Sequence, residues 1–171
     1  MKKRSFLRGT LVVLALSTVT ISSAPLLAHE AACPLCTLPV VQDTSEQDNE
    51  VALRYGRKRI EYRCVYCALQ EAHSEYSGDL SVLAPSEDKG APVVLKRVNN
   101  KWSADPQNAV FAAQKANHKV CQITYRAFAT QAAFDAYVKK HADRFDKDTK
   151  PLTLAQMLDI TKPKSQNKEE K

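Results

Sequence analysis

Residues 51–76, VALRYGRKRIEYRCVYCALQEAHSEY, decide the fold. "VALRYG" and "RIEYR" alternate apolar and polar side chains around Gly56-Arg57-Lys58, the pattern of a β-hairpin. The period then changes. Val65, Ala68, Leu69, Ala72 and Tyr76 recur at helical spacing until Ser77-Gly78-Asp79 stops them. The stretch therefore predicts a β-β-α unit, with Cys64-Val65-Tyr66-Cys67 placed where the second strand gives way to the helix.

Working outward, "LSVLA" and "PVVLKRV" read as strands on either side of the polar loop Pro85–Ala91, and Asn99-Asn100-Lys101 as a turn before Trp102. The second half has the same grammar. "AVFAA" is a strand, "QKANHKV" a connecting turn, "CQITYRAF" a strand, and "TQAAFDAYVKKHADRF" an amphipathic helix that Thr130 would cap. "IEYR" from Ile60 and "ITYR" from Ile123 share Ile-x-Tyr-Arg, each ahead of a helix. The sequence thus predicts an α+β fold of two related β-β-α units with small antiparallel sheets, plus a short C-terminal helix in "LTLAQMLDI" after Pro151. The expected domain covers residues 51–160. Residues 161–171, ending "TKPKSQNKEEK", have the composition of a disordered tail.

The first 28 residues read as a secretory signal peptide: Lys2, Lys3, Arg4 and Arg8, then an apolar run from Leu11 to Ile21, then small residues up to Ala28. The apolar run falls short of the ~20 residues of a spanning helix. The expected product is a periplasmic or secreted chain that meets a membrane only through the uncleaved signal segment. Of the 25 Lys and Arg against 19 Asp and Glu, four basic residues lie in this leader, so residues 29–171 carry a net charge of only about +2. That balance, with no basic-aromatic patch, argues against nucleic acid as a partner. The sequence has no Ser/His/Asp order and no paired-carboxylate motif, and its four glycines leave little room for a phosphate-cradling loop. The expected protein is not an enzyme.

All five cysteines follow the leader. Residues 29–50 form a Cys-x-x-Cys-containing segment, "CPLC" at Cys33–Cys36, followed by the acidic run "QDTSEQDNE". Cys64 and Cys67 make the second pair, and Cys121 stands alone. Two Cys-x-x-Cys pairs are the layout of a four-thiolate metal site. Two disulfides with one spare thiol, or a thiol–disulfide oxidoreductase built on Cys64 and Cys67, fit the same spacing in an exported chain. A helix N-terminus favours thiolate over thiol, and Arg63 adds a positive charge. His118 precedes Cys121 by three residues, so both could reach one ion. His29 would become the first residue after cleavage, where amine and imidazole together can bind Cu(II). Met157 is the only methionine beyond the leader, so a soft-metal site would rest on cysteine and histidine. Cys33, Cys36, Cys64, Cys67, Cys121 and His118 are the candidate ligands, with Cu(I) the expected ion and Zn(II) the alternative.

The early cysteine, the hairpin and helix, and the late "CQITYRAFATQAAFDAYV" resemble the nitrous-oxide-reductase accessory (NosL-like) family over roughly residues 33–145. These are small exported or lipid-anchored Cu(I)-binding proteins that assist metal-centre assembly in a copper reductase. In that family an early Cys-Gly-Met precedes the hairpin, and a later methionine precedes a strand ending in Ala-Phe. Here Cys36-Thr37-Leu38 stands in the first place, and Cys121 and Ala127-Phe128 in the second. The resemblance implies Cu(I) binding at Cys36 and Cys121, delivery to a periplasmic metalloenzyme, and a fold similar to that of organomercurial lyase. Leu38 in place of a methionine, Cys121 in place of a thioether, and the added Cys64/Cys67 pair make the site richer in thiolate. No lipidation signal precedes Cys33.

Overall fold

The computed structural model describes residues 31–40, 50–86, 92–116 and 121–163. The expected signal peptide, His29, residues 41–49 with most of the acidic run, much of the loop at 85–91, His118 with the rest of 117–120, and residues 164–171 lie outside the described residues. The fold is α+β. Strands β1 (Ala31–Ala32) and β2 (Pro39–Val40) form a miniature hairpin. Strands β3 (Val51–Tyr55), β4 (Lys58–Tyr62), β5 (Leu80–Ala84), β6 (Val93–Val98) and β7 (Lys101–Asp105) form one antiparallel sheet, in the order β4-β3-β5-β6-β7. Strands β8 (Val110–Lys115) and β9 (Ile123–Phe128) make a separate two-stranded ribbon. Helices α1 (Val65–Ser74), α2 (Gln131–Lys140) and α3 (Leu154–Thr161) complete the fold. None of the described helices is long and apolar enough to cross a membrane.

Turn chemistry sets the registers. Tyr55 pairs with Lys58 across Gly56, whose φ of 58° lies in the left-handed region. Val98 pairs with Lys101 across Asn99 and Asn100, both left-handed, as a type I′ hairpin turn requires. With these registers fixed, Val93, Leu95 and Arg97 of β6 are buried while Lys96 and Val98 are exposed. The buried face meets α1, whose Val65, Cys67, Ala68, Leu69 and Ala72 point inward.

The β8–β9 ribbon is buried on both faces, which splits the interior in two. Phe111 and Ala127 join the main core beside α1, and the next residues along each strand, Ala112 and Phe128, pack against α2 with Phe134, Tyr137 and Phe145. Phe128 meets Phe134 edge to face at 5.6 Å. Helix α3 starts with a capping box between Thr153 and Gln156 and inserts Met157, fully buried, into the main core. Met157 is therefore a packing residue.

Both expected β-β-α units are present, as β3-β4-α1 and β8-β9-α2, but they are not superposable residue for residue. β4 ends at Tyr62 and Cys64 is the N-cap of α1, whereas β9 runs on to Phe128 and Thr130 is the N-cap of α2. The structural counterpart of Cys64 is thus Thr130. The Ile-x-Tyr-Arg match alone pairs Cys64 with Ala127, a buried strand position. A second difference concerns the "CPLC" segment. Cys33 and Val40 belong to the same core as α1 and the sheet, so residues 31–40 are built into the body of the fold.

Candidate metal centre

The site forms where three remote parts of the chain meet: the turn between β1 and β2, the start of α1, and the approach to β9. Cys33 opens a tight turn in which its amide donates to the Leu38 carbonyl at 2.9 Å and its carbonyl accepts from the Thr37 amide at 2.8 Å. Thr37 takes a left-handed φ of 60° to close it. This geometry directs the amides of Cys36 and Leu35 back at the Cys33 sulfur. On the other side, Cys64 caps α1 in an extended conformation and Cys67 lies in its first turn.

The sulfurs of Cys33, Cys36 and Cys67 lie within 4.8 Å of one another. An ion with ~2.3 Å bonds to three thiolates holds them ~4 Å apart, so little movement separates this arrangement from a three-coordinate site. Cys64 stands outside that mutual set and touches Cys67, Sγ to Sγ 3.6 Å. Cys121 is half-buried; its thiol donates to the Ile123 carbonyl at 3.2 Å and also reaches the Cys36 thiol. The five sulfurs thus form a connected ladder, with Cys64 and Cys121 at its two ends. All five are free thiols. Cys33, Cys64 and Cys67 are 1%, 4% and 2% exposed, so Cys36 and Cys121 form the accessible edge.

The electrostatics divide the thiols. A hydrogen bond from the Cys67 thiol, helped by the amides of Arg63, Cys36 and Leu35 against the cost of burial, lowers Cys33 to about 5. The same neighbour, with amides of Tyr125, Cys67 and Tyr66, lowers Cys64 to about 7. Cys67, whose single S–H lies between the Cys33 and Cys64 sulfurs, is pushed far up by those two neighbours and by burial. Burial, then the adjacent Cys33, raise Cys36 to about 11. Burial and the charge of Cys64 raise Cys121, while Arg63 opposes them. Within the three-sulfur set, Cys33 is the thiolate at neutral pH, and the Cys36 and Cys67 thiols beside it can each give up a proton to an arriving ion.

The sequence pattern names all five cysteines, and the fold brings them together; His118 is outside the described residues. Sequence reasoning missed the stacked pair Tyr66 and Tyr125, with ring centroids 5.4 Å apart and planes at 22°, beside Cys64. Their positions, two residues after Cys64 and two after Ile123, carried no signal that the second unit folds back over the first helix. Arg63 is half-buried, and its Nε has no hydrogen-bond partner among the described residues.

No family model and no curated protein matches the chain. Among solved structures, the mercury-bound form of MerB2 is similar, with a TM-score of 0.52 at 14% identity, over 65% of this chain and 55% of that one. At that identity the likeness is one of fold. It supports the α+β architecture, and this chain spans little more than half of the other's length.

Proposed function

We propose that the chain is a periplasmic accessory protein that carries a thiophilic ion, Cu(I) foremost, on Cys33, Cys36 and Cys67 and passes it to a partner metalloenzyme. One observation carries this reading: three cysteine sulfurs from two distant segments lie within 4.8 Å of one another. Thiolates select soft ions. Structural zinc takes four ligands, and here the fourth paired sulfur, Cys64, stands apart, so the geometry favours an ion content with three. The fold likeness to a mercury-bound protein is consistent with thiophilic cargo.

Transfer follows from incomplete coordination. A three-coordinate ion leaves room for one incoming ligand, and the half-exposed Cys36, beside Cys121, is the side on which a partner's ligand can arrive. The chain acts as a carrier and performs no bond-breaking step on a substrate. The signal peptide, the family resemblance and the paired cysteines support export and delivery. Cu(I) titrated anaerobically against a chromophoric chelator tests the reading. One tightly held ion per chain is expected, lost in Cys33→Ser and Cys67→Ser. Failure of the fully reduced protein to compete for Cu(I) refutes it, and the same titration with Zn(II) decides between the two ions.

A further inference from the structure

Cys67 faces two ways. Its sulfur belongs to the three-sulfur set with Cys33 and Cys36, and it also lies 3.6 Å from Cys64, which that set leaves out. One sulfur cannot serve both neighbours at once: as a thiolate it can bind an ion, and in a disulfide with Cys64 it cannot. We infer that ion release from this site is coupled to oxidation, with a Cys64–Cys67 disulfide and the bound ion competing for Cys67. The inference rests on the ion-binding reading above and adds its regulation.

The geometry favours this pair. Cys64 is the N-cap of α1 and Cys67 sits three residues on, so the backbone already holds the two side chains on one side of the helix start. Closing the bond brings the sulfurs from 3.6 Å to ~2.05 Å, a matter of side-chain rotation. Cys64 is also the paired cysteine left unbound when the ion is held by the other three. The co-reactant is a disulfide on a partner. The pair is buried, so the step requires the β1–β2 hairpin to open first; one thiolate of the Cys64/Cys67 pair then attacks the disulfide, giving a mixed disulfide and one released thiolate, and the other thiolate displaces the second. One S–S bond forms and one breaks, and two electrons pass to the partner; its two released thiolates take up the Cys64 proton and one from solvent, Cys67 having given up its own when the ion bound. With Cys67 gone, Cys33 and Cys36 hold the ion by two bonds at the accessible edge of the site.

The coupling is reciprocal, because an ion that binds only the reduced form protects it. At a free-ion concentration 100-fold above Kd, the reduced form gains about 100-fold. For a two-electron couple this corresponds to a reduction potential higher by about 59 mV.

Cd(II), which is redox-inert, and the azo oxidant diamide, which brings no competing thiol, give a clean test. Diamide takes two electrons and two protons from a thiol pair across its N=N bond. Reduced wild type is loaded with Cd(II), followed by its thiolate charge-transfer absorption, and treated with one equivalent of diamide. The expected result is loss of the cadmium signal, with a disulfide mapped by peptide mass to Cys64–Cys67, and oxidation at least tenfold slower in loaded than in metal-free protein. Cys64→Ser keeps all three ligands and puts a good N-cap hydroxyl on α1. It should bind Cd(II) as wild type does and keep it at least tenfold longer under diamide. Equal loss of cadmium from both proteins, or a disulfide mapped to Cys33–Cys36, overturns the inference. Failure of reduced wild type to bind Cd(II), seen before any oxidant is added, overturns the ion-binding reading on which it rests.

Discussion

Arg97 ties the sheet to the helix that presents Cys64 and Cys67, and replacing it gives a quantitative test of how the scaffold holds the site. It is 7% exposed and donates to three carbonyls at the end of α1: Ala72 at 2.7 Å, Tyr76 at 2.7 Å and Gly78 at 2.8 Å. Its guanidinium also lies 5.5 Å from the Trp102 ring centroid. In Arg97→Met the Ala72 carbonyl loses its partner in a buried setting, at a cost of about 2 kcal/mol. The Tyr76 and Gly78 bonds are only partly buried, so water can take over and about 0.5 kcal/mol is lost at each. The cation–π contact adds ~0.5–1 kcal/mol. Methionine retains much of the aliphatic packing, and relief of a buried charge offsets about 1 kcal/mol. The net loss is about 3 kcal/mol, roughly 6–12 °C in Tm for a chain of this size. Urea unfolding followed by far-UV circular dichroism measures it independently of Trp102, which sits against the mutated side chain. Arg97→Lys should recover less than half, because one ammonium cannot reach three carbonyls in a fork. A loss below 0.5 kcal/mol in Arg97→Met, or full recovery by lysine, would refute the argument that Arg97 closes the end of α1.

Other outcomes follow from the thiols and caps. Cys67→Ser should cost more affinity for Cu(I) than the roughly 100-fold typical of losing an outer-shell partner, whereas Cys121→Ser should stay within that range; competition titration measures both. Because Cys33 is already ionised at pH 8 while Cys36, raised to about 11, and Cys67 are not, loading should release two protons per ion. Affinity should then rise about 100-fold per pH unit near pH 8, and calorimetry in buffers of different ionisation enthalpy would detect the protons. In the metal-free protein, the lowered Cys33 gives stability that is fully present above its ordinary value of 9.0 and lost as pH falls through about 5. The difference in urea midpoint between wild type and Cys33→Ser should therefore grow steadily from pH 5 to pH 9. Thr153→Ala breaks the capping box of α3 and should cost about 1 kcal/mol in the same assay.

Local chemistry was legible in the sequence where it is enforced locally. Gly56 and the alternation around it specify the β3–β4 hairpin, and Thr130 caps α2 through its hydroxyl to the Ala133 amide at 3.1 Å. Long-range pairing was less accessible. The strand order β4-β3-β5-β6-β7 depends on β5 returning to pair with β3, and no single residue announces it. Arg97 has the alternation of a strand but points inward, because the exposed carbonyl end of α1 compensates its charge. At the site, the two Cys-x-x-Cys spacings identified the sulfurs, but could not show that Cys64 would lie outside a three-sulfur set. That depends on how the β1–β2 turn docks against the start of α1, which sets Cys67 beside Cys33 and Cys36 and leaves Cys64 outside the set. Nor could they show that Cys33 would be nearly inaccessible, since the turn that buries it relies on Thr37 adopting a left-handed backbone.

The hairpin at residues 31–40 has one more consequence. Two-residue strands give it few backbone bonds of its own, so its place in the core rests largely on Cys33 and Val40. Short segments of this kind are the first to open in a folded protein. An ion shared by Cys33, Cys36 and Cys67 would rivet the hairpin to α1 and close that route of attack. At 100 times its Kd, the ion would stabilise the folded chain by about 2.7 kcal/mol. The empty carrier would then be clipped by proteases sooner than the loaded one, and the amount of protein that survives would follow the supply of the ion it carries.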